Sequence, residues 1–152
     1  MSYWESYQYK EIIEKGYENR FNALDYTGKS SEIIRAKIPE KIVKGDTITI
    51  SFWAKGTPRA EAKTKHFGFF ITLPCKDLIR KSNGNGFGDV GNGKNTDAYF
   101  SPNEDWTFYW ATFTFDPLVD SVQSYAANSV KLCMYNWGYD GQMACLKLEK
   151  GD

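Results

Sequence analysis

The sequence predicts an all-β protein in which two antiparallel sheets form a sandwich. About eight segments alternate apolar and polar residues, which is the period of a half-buried strand. Clusters of Gly, Asn, Asp and Ser separate these segments, and the strand–helix alternation typical of a parallel sheet does not occur. Aromatic residues make up 16% of the chain, and they favour the half-buried surface of a pleated sheet.

Composition excludes several classes of function. The 152 residues suit one domain with its own core. Lysine plus arginine equals aspartate plus glutamate at 19 each, with both signs interspersed, so we expect binding to neither nucleic acid nor an anionic membrane. No segment approaches the roughly 20 apolar residues that span a bilayer, and the N-terminus lacks the apolar run of a signal peptide. We therefore expect the protein to fold in a cytoplasm.

The three cysteines predict neither a disulfide framework nor a metal site. Cys75, Cys133 and Cys145 are odd in number and lack C-x-x-C spacing. Buried thiols are the expected state.

The N-terminal segment differs from the rest of the chain. Within this segment, residues 1–18, residues 3–15 fit a helical period only loosely, with Gly16 as the end, and Tyr3, Tyr7 and Tyr9 fit a strand almost as well. We interpret this segment as an arm or short helix. The sandwich domain is then expected to span residues 19–152.

The strands follow from residue 19 onward. RFNALDY and SEIIRAKI alternate on either side of the turn TGKSS, which predicts two antiparallel strands. KGDTITISFWAKG, residues 44–56, is the clearest strand. Its predicted core face carries Ile48, Ile50, Phe52 and Ala54. Trp53 is then a single large aromatic residue on the polar face.

The next strand, HFGFFITL, points Phe67 and Phe69 towards the core and Phe70 away from it. Residues 82–97 then form a run of Gly and Asn that is too long for a hairpin turn. We predict a loop here, which is either a contact element with Phe87 exposed at its tip or disordered. The loop lacks both the acid spacing of an EF-hand and the G-K-[ST] ending of a phosphate cradle.

Residues 105–116, DWTFYWATFTFD, carry aromatic residues on both faces of one strand. The predicted core face carries Tyr109, Ala111, Phe113 and Phe115. Phe108 and Trp110 then point outward. SVKLCMYN and QMACLKLEKG are the last two strands, and Tyr135 points outward if Leu132 and Met134 point inward.

Three of these segments together resemble a known family. KGDTITISFWAKG, the run from Trp106 to Phe115 and the closing CLKLEKGD are similar to blocks found in carbohydrate-binding-module-like jelly rolls of phage and prophage tail and baseplate proteins. The blocks cover about a fifth of the chain and occur in the family's order. The resemblance implies a two-sheet jelly roll related to the galactose-binding-like fold, carried on a virion and contacting host surface glycans.

One feature of the family is missing from this chain. Enzyme-linked modules often close on a pair of Asp residues that help to hold a structural calcium ion, whereas the last strand here has no such pair. We therefore expect no cofactor and no metal. The chain also stops at Asp152, where phage chains commonly continue, so we expect a small stand-alone virion protein.

The outward aromatic residues predict a binding surface. We expect them to form a platform on one sheet, because an aromatic ring can bury the apolar face of a sugar while polar neighbours bond its hydroxyls. The platform residues are Trp53, Phe70, Phe108, Trp110 and Tyr135. The polar candidates are Thr49, Ser51, Asn136 and Gln142.

Two alternative roles for these aromatic residues stay open at the level of sequence. In one, the N-terminal arm covers the sheet, and in the other, a neighbouring subunit covers it. The first function is therefore adhesion to a host glycan, and the alternative is an assembly or capsid-decoration protein that packs on other virion proteins. In either case we expect a homo-oligomer or many copies on the particle.

Catalysis is not expected. His66 is the only histidine, so a nucleophile–histidine site would have to use it, and we expect a structural or surface role instead. Acid pairs such as Glu104 and Asp105 fit a glycosidase scheme, but a chain with 19 acids offers many such pairs.

Overall fold

A computed structural model describes residues 4–6, 12–18, 21–28, 31–37, 42–43, 45–63, 65–72, 78–90, 95–115, 124–125 and 131–151. The described residues form fourteen strands and no helix. In chain order the strands are β1 (Trp4–Ser6), β2 (Ile12–Tyr17), β3 (Phe21–Asp25), β4 (Ser31–Lys37), β5 (Ile42–Val43), β6 (Thr47–Pro58), β7 (His66–Thr72), β8 (Leu78–Ser82), β9 (Gly86–Val90), β10 (Asn95–Phe100), β11 (Thr107–Phe115), β12 (Ser124–Tyr125), β13 (Lys131–Trp137) and β14 (Tyr139–Lys150).

Twelve of these strands form two six-stranded antiparallel sheets. The first sheet has the order β1-β4-β13-β7-β10-β9, and the second sheet has the order β2-β3-β14-β6-β11-β8. The remaining strands, β5 and β12, pair with each other.

The path of the chain through the two sheets is that of a jelly roll. β3, β4, β6 and β7 alternate between the second and first sheets, and β10, β11, β13 and β14 alternate between the first and second sheets. β14 inserts between β3 and β6, and β13 inserts between β4 and β7. Two interleaved Greek keys of this kind define a jelly roll. The predicted all-β jelly-roll sandwich is therefore confirmed.

The core lies between the sheets and is rich in aromatic rings. The ring centroid of Phe52 on β6 lies 6.0 Å from that of Phe67, 6.3 Å from that of Phe69 and 5.2 Å from that of Phe100. Burial alternates along β6, so the strand presents one side to these rings. Contacts between Phe52 in the second sheet and three rings in the first sheet hold the two layers together.

The predicted core faces are confirmed where the structure describes their side chains. The buried core residues include Ile48, Ile50, Phe52, Ala54, Phe67, Phe69, Tyr109, Ala111, Phe113, Leu132 and Met134. The side chain of Phe115 lies outside the described residues.

The described parts of the N-terminal segment are strands. β1 pairs with β4 at the edge of the first sheet, and β2 pairs with β3 at the edge of the second. Of the two expected forms, an arm or a short helix, the helix is therefore wrong for these residues. Edge pairing supplies the backbone hydrogen bonds that a loosely periodic helix would otherwise provide.

The Gly/Asn segment is not simply a loop. β9 lies inside the predicted 82–97 loop and pairs with β10. Phe87 is part of β9, and its ring packs edge-on against Phe113 at a centroid distance of 6.0 Å. The predicted position of Phe87 at a loop tip is therefore wrong, because the ring is partly buried against the core. Pairing with β10 outweighs the poor strand propensity of glycine.

β14 contains a bulge that changes which side chains face outward. Its pairing with β6 shifts just before Lys147, and Cys145 has a positive φ of 54°. A bulge adds one residue to one strand and so shifts the alternation by one. Met143 and Leu148 both face the core as a result, while Lys147 and Glu149 lie on the outer face.

The two described cysteines differ from each other. Cys133 is buried, as expected, but Cys145 is exposed. The expectation of a buried thiol is wrong for Cys145, because the bulge turns it away from the core. Cys75 lies outside the described residues.

In the part of the chain that the structure describes, no helix has the length and apolar character required to cross a membrane.

Candidate functional site

The outer face of the second sheet carries an open groove of about 570 Å³. Residues of β6, β8, β11 and β14 line it. Cross-strand pairing arranges these residues in rows. The first row contains Lys147, Ser51 and Trp110. The second row contains Glu149, Thr49, Thr112 and Lys81. The third row contains Thr47 and Thr114.

β11 contributes two aromatic side chains to the groove. Trp110 is half-buried, and Phe108 is 42% exposed beyond the first row. Both line the groove. The predicted outward direction of Phe108 and Trp110 is therefore confirmed.

Asn83 holds this part of β11 in place. Its side-chain amide donates to the Phe108 carbonyl at 2.8 Å, and its amide oxygen accepts from the Trp110 N–H at 2.8 Å. An Asn amide can imitate a backbone amide. The Asn83 side chain therefore extends the backbone hydrogen bonding between β8 and β11 by one step beyond the end of β8. The fixed backbone positions the indole of Trp110 over the groove.

Hydroxyl groups form most of the groove floor. The hydroxyls of Thr47 and Thr114 lie 2.8 Å apart, and Thr49 donates to the Gly151 carbonyl at 2.6 Å. Within the described part of the chain, the hydroxyls of Ser51 and Thr112 make no hydrogen bond. These two hydroxyls flank Trp110 and are available to a ligand.

The charged side chains stand at opposite sides of the groove. On β14, Lys147 Nζ lies 3.1 Å from Glu149 Oε1, and both side chains are largely exposed. On β8, Lys81 is exposed and has no ion-pair or hydrogen-bond partner among the described residues. The groove therefore holds one compensated lysine and one uncompensated lysine.

The predicted platform does not lie on one sheet. Trp53, Phe108 and Trp110 belong to the second sheet, whereas Phe70 on β7 and Tyr135 on β13 belong to the first. This prediction is wrong because β6 and β7 follow each other in sequence but lie in different layers. The side chain of Phe70 itself lies outside the described residues.

Trp53 forms part of a packed cluster next to the groove. Its ring centroid lies 5.3 Å from that of Tyr17 and 5.3 Å from that of Phe108. Tyr17 also packs edge-on against Trp106 at 4.9 Å, and Lys55 Nζ lies 5.3 Å from the Trp106 ring centroid. Tyr17 is at the end of β2, so the N-terminal segment covers this corner of the sheet. Trp53 therefore supports Phe108 from the side and does not line the groove.

Tyr135 is not available as part of a platform. It is 7% exposed, and its hydroxyl donates to Asp97 Oδ2 at 3.2 Å, which also accepts from Tyr99 at 3.2 Å. Burial, followed by the Asp97 carboxylate, raises the pKa of Tyr135. The phenol is therefore a neutral structural donor on the first sheet.

Asn136 is fully buried and shapes the turn between β13 and β14. Its amide donates to the Tyr139 carbonyl at 2.8 Å, and its amide oxygen accepts from the Tyr139 N–H at 3.2 Å. The prediction of Asn136 as a binding residue is wrong, because this turn already uses both ends of its amide.

His66 lies at the start of β7 and is exposed. Its ring contacts Tyr99 at a centroid distance of 5.3 Å. Within the described ranges, no group of three or more His, Cys, Asp or Glu side chains is placed to hold a metal ion.

The sequence predicts Phe108, Trp110, Thr49 and Ser51 as site residues, but it does not single out the other lining residues. Thr112 shares a face with Trp110, so alternation along β11 was sufficient to find it. Lys81 and Lys147 required the strand order β14-β6-β11-β8, which is a long-range property.

The fold and the groove define this chain as a jelly-roll β-sandwich with an open polar–aromatic groove on one sheet. Comparison of the chain with protein-family models, with curated proteins and with solved structures finds no match.

Proposed function

We propose that this protein is a non-enzymatic carbohydrate-binding module of a bacteriophage virion, and that the groove on the second sheet contacts a host surface glycan. The observation that carries the binding role is the groove itself, in which Trp110 lies beside the unbonded hydroxyls of Ser51 and Thr112. The virion role rests on the resemblance of three sequence blocks to phage tail and baseplate modules.

The chemistry of the groove suits a sugar. An indole can bury the apolar C–H face of a pyranose ring, and hydroxyls next to it can exchange hydrogen bonds with the sugar's own hydroxyls. Ser51 is directly opposite Trp110 across the β6–β11 pair, and Thr112 is two residues along β11 on the same face. One sugar unit stacked on Trp110 would therefore meet a hydroxyl on two sides.

The open shape of the groove predicts weak binding by a single copy. A shallow site buries less of a ligand than an enclosed pocket does. Several copies on one particle raise the overall avidity by about 10² to 10⁴ over that of one site. Adhesion would then come from repetition of the module, and an extended glycan chain is a better ligand than a free monosaccharide.

The test is a binding assay with a matched pair of tryptophan variants. Wild type, Trp110→Ala and Trp137→Ala are presented to immobilised host cell-wall polysaccharide and to a broad glycan panel. Trp137 is 46% exposed and lies on β13 of the first sheet, so its variant removes an exposed indole far from the groove. We expect saturable binding that Trp110→Ala loses and Trp137→Ala keeps, with both variants folded by circular dichroism.

Two outcomes would overturn the proposal. Equal loss in both variants would mean that exposed indoles bind the surface without a defined site. No binding by folded wild type across the panel would remove the adhesion role.

The second candidate is an assembly or capsid-decoration protein, and the exposure of Phe108 and Trp137 favours it. The two side chains are 42% and 46% exposed and lie on opposite sheets, and large apolar side chains of this kind are enriched at protein interfaces. In this case Phe108→Ser would change the oligomeric state measured by light scattering or abolish incorporation into particles. An unchanged state and normal incorporation would favour the glycan role.

A further inference from the structure

We infer that the saccharide bound in the groove carries a negative charge, as a carboxylate or a phosphate, and that Lys81 selects it. The inference rests on the proposed function, because it names the chemical class of that site's ligand. Three features of the groove support it: the position of Lys81 near Trp110, the ion pair between Lys147 and Glu149, and the distance between Glu149 and Lys81.

Lys81 is within reach of a sugar on Trp110. Lys81 is directly opposite Thr112 across the β8–β11 pair, and Trp110 is two residues from Thr112 on the same face. Such diagonal neighbours are about 7–8 Å apart, a separation that long side chains cover. A carboxylate or phosphate on a sugar stacked against Trp110 would therefore lie within range of the Lys81 ammonium group.

Lys81 is the uncompensated cation of the groove. Lys147 forms an ion pair with Glu149 at 3.1 Å, whereas Lys81 has no such partner among the described residues. Glu149 and Lys81 are at opposite ends of one row, on β14 and β8. Three strand spacings separate their backbones by about 14 Å, which exceeds the screening length of about 10 Å at 0.1 M salt. Glu149 therefore does little to neutralise Lys81.

The local excess of positive charge contrasts with the whole chain. The chain has a formal net charge of zero, so overall charge provides no general attraction for polyanions. Two lysines and one glutamate line the groove. A preference for anionic saccharides would thus arise at this site alone, and substitution of one lysine should remove it.

The test uses two pairs of polymers that differ chiefly in charge. The carboxylate pair is polygalacturonate and its methyl-esterified form, and the phosphate pair is a phosphorylated mannan before and after phosphatase treatment. Binding of wild type, Lys81→Gln and Lys63→Gln is measured to each immobilised polymer at low and high salt. Lys63 is an exposed lysine in the connection between β6 and β7, so Lys63→Gln makes the same charge change away from the groove.

We expect wild type to bind at least one charged polymer about 1.5- to 5-fold more tightly than its neutral partner at low salt, which is the range for one exposed ion pair. High salt and Lys81→Gln should each remove the preference, and Lys63→Gln should keep it. The pair that shows the effect identifies the anion as a carboxylate or a phosphate.

The failure of this inference differs from the failure of the proposed function. Equal binding to charged and neutral polymers, or a preference that persists in Lys81→Gln, would overturn the anionic selection and leave glycan binding intact. Absence of binding to all four polymers and to the wider panel by folded protein would overturn both.

Discussion

At the scale of single residues, Gly68 sets the spacing between β7 and β10. A Cβ atom at this position would lie 1.9 Å from the Ala98 carbonyl oxygen. Backbone atoms cannot move aside without disturbing the β7–β10 ladder, so we expect Gly68→Ala to lower the free energy of unfolding by about 3 kcal/mol. Urea denaturation followed by circular dichroism measures this change.

Gly28 supplies the control for that substitution. It has a positive φ of 74°, and an added Cβ would meet no atom within 4 Å. Gly28→Ala should therefore cost only the strain of a left-handed backbone, about 1 kcal/mol. Equal losses in the two variants would contradict the role of close approach at Gly68.

Asp140, near the start of β14, links the β3–β4 and β6–β7 connections, and its ionisation should contribute to stability. Its Oδ1 accepts from the Gly28 N–H at 2.8 Å and from Arg59 Nε at 2.7 Å. Burial acts to raise the pKa of Asp140, but the hydrogen bonds from Gly28 and Arg59 outweigh it and hold the pKa below its ordinary value of 3.8.

The sign of the pH dependence follows from this lowered pKa. The folded state holds the Asp140 proton less tightly than the unfolded state does, so the stabilisation is present above about pH 4 and disappears as the pH falls through the folded pKa. The Asp140 side chain is 38% exposed, so the effect is expected to stay below about 1 kcal/mol.

Urea titrations between pH 2 and pH 7 measure this effect. Wild type should exceed Asp140→Asn in stability at neutral pH, and the difference should shrink below pH 4. Glu104→Gln, which removes an exposed carboxylate, should show a smaller difference. A constant gap between wild type and Asp140→Asn at all pH values would contradict the role of ionisation.

At the scale of elements, Tyr17 fastens the edge hairpin of β2 and β3 onto the second sheet. Its ring is 5% exposed and packs on Trp53 and Trp106. We expect Tyr17→Ala to lower stability by about 2–4 kcal/mol and to speed amide exchange in β2 and β3. Tyr17→Phe keeps the ring contacts and should lose less than half as much. Unchanged exchange in β2 in the alanine variant would show that different contacts hold this edge.

The bulge in β14 depends on the backbone of Cys145. A positive φ of 54° is unfavourable for a residue with a Cβ atom and worse for a β-branched one. Cys145→Gly should therefore raise the free energy of unfolding by about 0.5–1 kcal/mol, and Cys145→Val should lower it by about 1–2 kcal/mol. Thermal denaturation of wild type and the two variants shows whether each substitution raises or lowers stability. A stabilising effect of Cys145→Val would rule out backbone strain at this position.

At the scale of the whole molecule, one core joins the two sheets, so they should unfold together. Phe52 contacts three rings of the opposite sheet, and Phe52→Ala should cost about 3–5 kcal/mol. Far-ultraviolet circular dichroism and tryptophan fluorescence should each report a single unfolding midpoint, and the two midpoints should agree both in wild type and in Phe52→Ala.

The exposed Phe108 supplies the comparison, because Phe108→Ala leaves the core intact and should cost less than about 1 kcal/mol. Separate midpoints for the two probes would show that the molecule does not unfold in one two-state transition.

The features of this molecule that can be predicted from its sequence are those set by the local alternation of apolar and polar residues. Alternation along β6 and β11 identifies the buried residues Phe52, Tyr109 and Phe113 and the outward direction of Trp110. The side-chain period of two is a property of the extended backbone itself. Predictions for β6 and β11 that depend on it alone are therefore confirmed wherever the structure describes the side chains concerned.

Predictions that require knowledge of neighbouring strands are less successful. The glycine-rich segment around Phe87 predicts a loop, but pairing with β10 makes it a strand. The alternation of Phe70 and Tyr135 predicts a platform shared with Trp110, but β7 and β13 belong to the other sheet. In both cases the deciding partner is another strand, and its position is not encoded in the local pattern.

The amino-acid sequence by itself determined that the chain forms antiparallel strands and which side of the main strands faces the core, because these depend on residue alternation and turn residues. Only the tertiary structure decided which outward residues meet on one surface. Trp110 and Lys81 share a groove, whereas Tyr135 lies on the opposite sheet. The physical reason is that successive strands of a jelly roll alternate between layers, so neighbours in space are set by long-range backbone pairing.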